Sequence, residues 1–270
     1  MLENSPLGQT THYIDRYDPS SLFPIARHTQ RQVLSLTSPL PFDGHDLWNG
    51  YEFSWLNPVG KPQIALVEII NPCTSPNLIE SKSLKLYLNS FNLTRFKNTT
   101  QVLTHLTDDL TQTAGAAVQV RLHAIDSPNY FILSNLPGDC LDGLPIAVTD
   151  YQPKPQFLQT APTLVTESLH SHLFRSNCPI THQPDWGSIC IRYTGPQIHR
   201  EGLLQYIISY RQHPEFHEHC VERLFMDILQ HCQPTQLTVY ARFTRRGGLD
   251  INPFRSNFEA PYGNLRLIRQ

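Results

Sequence analysis

Glu80-Ser81-Lys82-Ser83-Leu84-Lys85-Leu86-Tyr87-Leu88-Asn89-Ser90-Phe91 decides how the rest of this 270-residue chain is read. Leu84, Tyr87, Leu88 and Phe91 fall at i, i+3, i+4 and i+7, the spacing of one apolar helix face. Shifted by 119 residues, Tyr87 falls on Tyr206, Ser90 on Ser209 and Phe91 on Tyr210. The same shift sets Val102 on Val221, Leu106 on Phe225, Asp108 on Asp227 and Leu110 on Leu229. Two amphipathic helices coincide easily by chance, but two helices and their connector in one register do not. The repeat predicts two copies of one supersecondary unit.

Working outward, Trp48–Trp55 and Gln63–Ile70 alternate as strands around the turn Asn57-Pro58-Val59-Gly60. A second helix is predicted from about Thr99 to Thr113, followed by a strand over Ala117–Ala124. The order then repeats: strands over Leu164–Phe174 and Ser188–Tyr193, helices over Glu201–Arg211 and Phe216–Cys232, and a strand over Leu237–Phe243. Thr244–Asn257 reads as a tail segment rich in glycine and arginine. The expected fold class is α+β, with antiparallel sheets and paired helices on one face. Residues 1–45 read as an irregular arm, 46–150 as the first module and 151–270 as the second.

Composition narrows the function. A formal net charge of −2 provides no basic field for nucleic acid or an anionic membrane. Met1-Leu2-Glu3-Asn4 has no basic segment leading into an apolar run, and no stretch reaches the roughly 20 apolar residues of a membrane span. Six scattered cysteines without a CxxC pair predict a reduced, cytoplasmic protein.

Each half carries polar equipment the other lacks, so a site furnished by both is expected. Ser176-Asn177-Cys178-Pro179-Ile180-Thr181-His182-Gln183-Pro184-Asp185-Trp186-Gly187-Ser188 holds a thiol and an acid on a backbone constrained by proline and glycine. Covalent catalysis needs such a nucleophile and proton source, although turn chemistry alone also accounts for Pro-Asp and Gly. Glu80 with Ser81, Lys82 and Ser83 opens a helix, a position suited to anions and equally to ordinary capping. His217 and Glu218 open the matching helix of the second half, where a carboxylate can accept N–H groups from a guanine-like ring edge. His213, His217, His219 and Cys220 match no zinc motif, so no metal is expected. Arg242-Phe243-Thr244-Arg245-Arg246-Gly247-Gly248 combines arginine forks with glycines that admit a phosphate, and no Rossmann or P-loop signature occurs.

These residues, together with Cys220-Val221-Glu222-Arg223 and Leu249-Asp250-Ile251-Asn252-Pro253, resemble the NADPH-dependent 7-cyano-7-deazaguanine reductases, the nitrile reductases of queuosine biosynthesis, in their long two-module form. The resemblance implies tandem tunnelling-fold (T-fold) modules. It implies that Cys178 attacks the nitrile to give a covalent thioimide and that Asp185 donates the proton. It assigns Glu80, Ser81, Lys82, His217 and Glu218 to the deazaguanine, and Lys82, Ser83, Arg246 and Gly247 to NADPH, consumed twice per nitrile. A homodimer with no direct nucleic-acid partner is expected. The competing readings are a zinc-dependent GTP cyclohydrolase-like T-fold enzyme and a non-catalytic deazapurine-binding protein.

Overall fold

A computed structural model of the chain describes residues 13–127 and 133–270. In chain order these form β1 (Pro24–Ala26), α1 (Arg27–Val33), β2 (Asp43–Leu56), β3 (Pro62–Pro72), β4 (Asn77–Ile79), α2 (Ser81–Ser90), α3 (Thr99–Ala114) and β5 (Gln119–His123). There follow β6 (Asp139–Cys140), β7 (Thr160–Ser171), β8 (Arg175–Asn177), β9 (Pro184–Ile198), α4 (Arg200–Ser209), α5 (His217–Cys232), β10 (Gln236–Phe243) and β11 (Leu249–Ser256). The chain divides into two compact units, the first comprising residues 13–31, 46–127 and 245–250, the second 32–45, 133–244 and 251–270. No helix of the described residues is long and apolar enough to cross a membrane.

In the first unit β3 lies between β2 and β5, pairing antiparallel with β5 from Leu66↔His123 to Ile70↔Gln119. Strand β1, in the stretch read as an irregular arm, pairs antiparallel with β4, directly before the helix α2. The apolar stripe of α3, Val102, Leu106, Leu110 and Ala114, is fully buried. Burial of a valine or leucine stabilises by about 1.5–3 kcal/mol relative to exposure. Tyr87 donates its hydroxyl hydrogen to Asp109 (2.6 Å), tying α2 to α3 through a half-buried polar contact.

The second unit repeats the motif. Strands β11, β10, β9, β7 and β6 lie in that order, with the short β8 paired to the start of β9. All of these pairings are antiparallel except β6 with β7. Tyr206 donates to Asp227, the counterpart of the Tyr87–Asp109 contact.

Superposing the repeats element by element corrects the single offset of 119. The caps Glu80 and His199 are 119 residues apart, but Asn98 and Phe216, which precede α3 and α5, are 118 apart. The second connector is one residue shorter, so Asp227 matches Asp109 rather than Asp108. In that register the buried stripe Val102, Leu106, Leu110, Ala114 maps onto Cys220, Leu224, Ile228, Cys232, all buried. Both helices end on a left-handed residue in the same register, Gly115 at φ 71° and Gln233 at φ 51°.

Strand β11 is the main element absent from the sequence reading. Leu249–Ser256 is buried on both faces, so Asp250, Asn252 and Arg255 lie inside and the expected polar alternation is missing. Their partners are also internal: the Arg255 guanidinium lies 2.9 Å from Glu222.

Candidate functional site

In the second unit, the constrained stretch around Cys178 is a strand hairpin with a short tip. Asn177 pairs with Pro184, Ser176 with Asp185 and Arg175 with Trp186. Side chains alternate faces along a strand, so Cys178 shares a face with Ser176 and with the cross-strand Asp185. The thiol and the carboxyl are therefore diagonal neighbours on one surface, at a separation of about 7–8 Å between such positions. The backbone of Cys178 is held on both sides: its N–H donates to the Gln183 carbonyl (2.9 Å) and its carbonyl accepts from the His182 N–H (3.0 Å). His182 sits at φ 55°, the left-handed conformation that closes the tip. Cys178 and Asp185 are both largely buried, at 5% and 7% exposure, so each retains a narrow approach from outside.

A second element is clamped to this hairpin. The Asn177 N–H donates to the His213 carbonyl (2.9 Å) and the Glu215 N–H to the Asn177 carbonyl (3.1 Å). The Glu215 carboxylate accepts from Arg223 at 2.9 and 3.0 Å and lies 3.0 Å from His213 Nε2. Burial alone raises the pKa of Glu215, but hydrogen bonds and charge from His213 and Arg223 outweigh it and hold the group down at about 2. The result is a fixed start for α5, with His217 and Glu218 in its first turn.

His217 Nε2 lies 3.4 Å from the Asp185 carboxylate, and its ring stacks on Phe243 with centroids 3.8 Å apart and planes 17° from parallel. Phe243 ends β10 opposite Gly187, where a Cβ would stand 3.2 Å from the Phe174 and Phe243 rings. Glu218 is 3% exposed, its charge placed at the positive end of α5. On the opposite face of β9, the guanidinium groups of Arg175 and Arg211 lie 5.0 and 5.2 Å from the Trp186 ring. Cys178, Asp185, His217 and Glu218 thus belong to one unit, and the hairpin register with the His217–Asp185 contact gathers the first three. Three other buried thiols are poor nucleophiles: burial pushes Cys190 up to about 11, Cys232 up to about 12, and Cys220 well above its ordinary value.

Glu80, Ser81, Lys82, Ser83, Arg246 and Gly247 belong to the first unit. Glu80 caps α2, its carboxylate accepting from the backbone N–H groups of Lys82 (2.8 Å) and Ser83 (2.7 Å). Ser83 is turned inward: its hydroxyl donates to the Glu80 carbonyl (2.7 Å) and accepts from the Phe23 N–H (3.0 Å). Its hydrogen is spent there, which leaves no hydroxyl donor for a phosphate. Lys85, one turn on from Ser81, lies instead beside the glycine turn. A Cβ at Gly247 would stand 3.3 Å from the Lys85 side chain, and one at Gly248 would stand 2.5 Å from the Glu52 carboxyl carbon. Both glycines have positive φ, 56° and 73°, so only glycine makes this close turn without strain. The Arg245 guanidinium lies over the Tyr51 ring at 4.6 Å. Lys85, Glu52, Gly247 and Gly248 line a cleft of about 170 Å³ with Tyr13, Phe53 and Asn89. That volume suits a phosphate and part of its sugar, being below the about 300–1,000 Å³ of a whole-ligand pocket.

The clamp at Glu215, the Phe243 ring and Lys85 were not singled out as functional in sequence. Lys85 was visible within the first helix motif, three residues from Lys82. The roles of Glu215 and Phe243 come from neighbours distant in sequence.

Two family profiles match the chain: one described as "Nitrile reductase, 7-cyano-7-deazaguanine-reductase N-term" over residues 13–122, and one described as "QueF-like protein" over residues 184–262. Similar proteins named NADPH-dependent 7-cyano-7-deazaguanine reductase include that of Hydrogenovibrio crunogenus, 54% identical over 99% of this chain and 97% of the relative. That of Desulfotalea psychrophila is 52% identical over 98% and 97%, and that of Chromobacterium violaceum 54% over 99% and 97%.

Proposed function

The chain belongs to the family of NADPH-dependent 7-cyano-7-deazaguanine reductases, and we propose on that basis that it reduces the nitrile of 7-cyano-7-deazaguanine to the aminomethyl group, in queuosine biosynthesis. The observation that supports the residue roles is the hairpin register, which sets Cys178 and Asp185 on one face with His217 against the acid.

In this reading Cys178 passes its thiol proton to the Asp185 carboxylate and its sulfur adds to the nitrile carbon, forming a C–S bond as one C≡N π pair moves to nitrogen. Asp185 delivers the proton that nitrogen takes up, which leaves a thioimide. A nitrile accepts hydride poorly, whereas the protonated thioimide carbon is strongly electrophilic. Bound NADPH supplies hydride, twice per nitrile. After the first reduction Cys178 leaves as thiolate, and the resulting imine is reduced to the amine. General acid help of this kind contributes typically about 10²–10⁴-fold. His217 orients the Asp185 carboxyl and Glu218 accepts N–H groups of the deazaguanine; Glu80, Ser81 and Lys82 are the deazaguanine residues that the first unit contributes by the same family pattern. Lys82, Lys85, Arg246 and Gly247 hold the cofactor phosphates; Ser83 serves by shaping the helix start, since its hydroxyl is engaged internally. The chain acts as a homodimer in the cytoplasm.

The test is to mix substrate with the protein and no NADPH, then measure the intact mass. An adduct of one substrate per chain is expected with the wild type and not with Cys178→Ala. With NADPH, two equivalents are consumed per nitrile. Nitrile reduction by Cys178→Ala sinks the covalent route, and tight deazaguanine binding without NADPH oxidation sinks the enzymatic one.

A further inference from the structure

In the second unit, away from the Cys178 hairpin tip, three potential ligands meet at the sheet edge. Cys140 of β6 is the cross-strand partner of His170 in β7, so the two share a face. His172, just past the end of β7, brings its ring centroid within 5.2 Å of that of His170. The sulfur of Cys140 and one nitrogen from each imidazole all lie within 4.8 Å of one another.

Ring tautomers follow from the neighbours. His170 Nδ1 lies 3.2 Å from the Pro137 carbonyl oxygen, which can only accept. The ring hydrogen is therefore on Nδ1, and the lone pair of the neutral ring is on Nε2. His172 Nδ1 lies 2.9 Å from Ser188 Oγ, which leaves its Nε2 as the second ligand atom. A metal-bound histidine that donates its other N–H to a carbonyl or similar acceptor is the recurrent arrangement around zinc.

The backbone is arranged without help from any ion. The Leu141 N–H donates to the His170 carbonyl (2.9 Å), and Asp142 accepts from Ser171 Oγ (2.6 Å) and the His172 N–H (3.0 Å). Asp139 pairs with Arg200 at 2.9 Å. Gly138, at φ 84°, allows this close approach, since a Cβ there would stand 1.8 Å from the Ser168 carbonyl oxygen. Cys140 is exposed, so side-chain rotation can draw its sulfur in to the roughly 2.3 Å Zn–S distance. Cys190, across from His170 on β9, is fully buried and lies outside the cluster of three.

We propose that Cys140, His170 and His172 bind one zinc ion at the β6 edge, with the fourth position open to water. A thiolate with two imidazoles selects zinc over magnesium or calcium, which take oxygen ligands. The ion staples residues 139–142 to β7 and has no part in nitrile reduction. Forming the Zn–S bond displaces the thiol proton to solvent.

The test uses reduced, chelator-treated full-length protein. Cobalt(II) titration should give a thiolate-to-cobalt absorption band saturating at one equivalent, displaced by zinc. Cys140→Ser should abolish the band and weaken zinc binding by about 100-fold or more, since loss of even an outer partner costs 10–100-fold. NADPH oxidation by metal-free Cys140→Ser should equal that of the wild type. Cobalt binding without a thiolate band, zinc affinity unchanged in Cys140→Ser, or a band lost in Cys178→Ala but kept in Cys140→Ser would each overturn the proposal.

Discussion

Replacing Glu215 with glutamine tests the clamp that joins the Cys178 hairpin to α5. Glu215 is 2% exposed and faces Arg223 through two hydrogen bonds, with His213 on the other side. Its folded-state pKa is about 2 against an ordinary 4.5. A difference of about 2.5 units at 1.36 kcal/mol per unit makes the ionised group worth about 3.4 kcal/mol near neutral pH. The folded pKa is depressed, so this stability is fully present above pH 4.5 and is lost as the pH falls toward 2. About 1.3 kcal/mol of it disappears between pH 5.5 and pH 3.5 by the same linkage relation. The substituted glutamine keeps the shape and one acceptor but has no proton to bind. Glu215→Gln should therefore destabilise by about 3 kcal/mol at pH 5.5, in the range for breaking one side of a buried ion pair. The gap to the wild type should then narrow by about 1.3 kcal/mol at pH 3.5. Urea unfolding followed by circular dichroism at several pH values measures both quantities. A destabilisation that stays constant from pH 5.5 to 3.5 refutes the linkage argument, even if the loss at pH 5.5 is large.

Two further outcomes follow from named contacts. Gly138→Ala places a Cβ 1.8 Å from the Ser168 carbonyl oxygen at a positive φ, so it should cost about 2–4 kcal/mol in thermal unfolding and loosen zinc binding together with β6. Tyr87→Phe and Tyr206→Phe each remove a hydroxyl donor of a half-buried carboxylate, Asp109 (which keeps the Tyr17 hydroxyl) and Asp227 respectively, and each should cost about 1–2 kcal/mol. The two losses should add in the double variant, because the contacts belong to separate units and share no partner.

The modular plan was legible in the chain itself. Helical periodicity over Leu84–Phe91 and its echo at Tyr206–Tyr210 required only local spacing, because a helix face is determined by residues three and four apart. The hairpin residues Cys178 and Asp185 were likewise readable as an ordered thiol and acid, since proline and glycine restrict the backbone locally. Three features depended on the folded molecule. The one-residue difference between connectors appeared only when Asp109 and Asp227 were seen to receive the two tyrosine hydroxyls. Strand β11 was hidden because its polar residues find internal partners, Arg255 with Glu222 among them, and no local pattern announces a partner 33 residues away. Cys140 and His170 are made neighbours by a parallel strand pairing across an intervening loop. Spacing along the chain determines which side chains share a face; only the closing of distant strands determines which faces meet, and the chemistry at Cys140, His170 and His172 depends on the second.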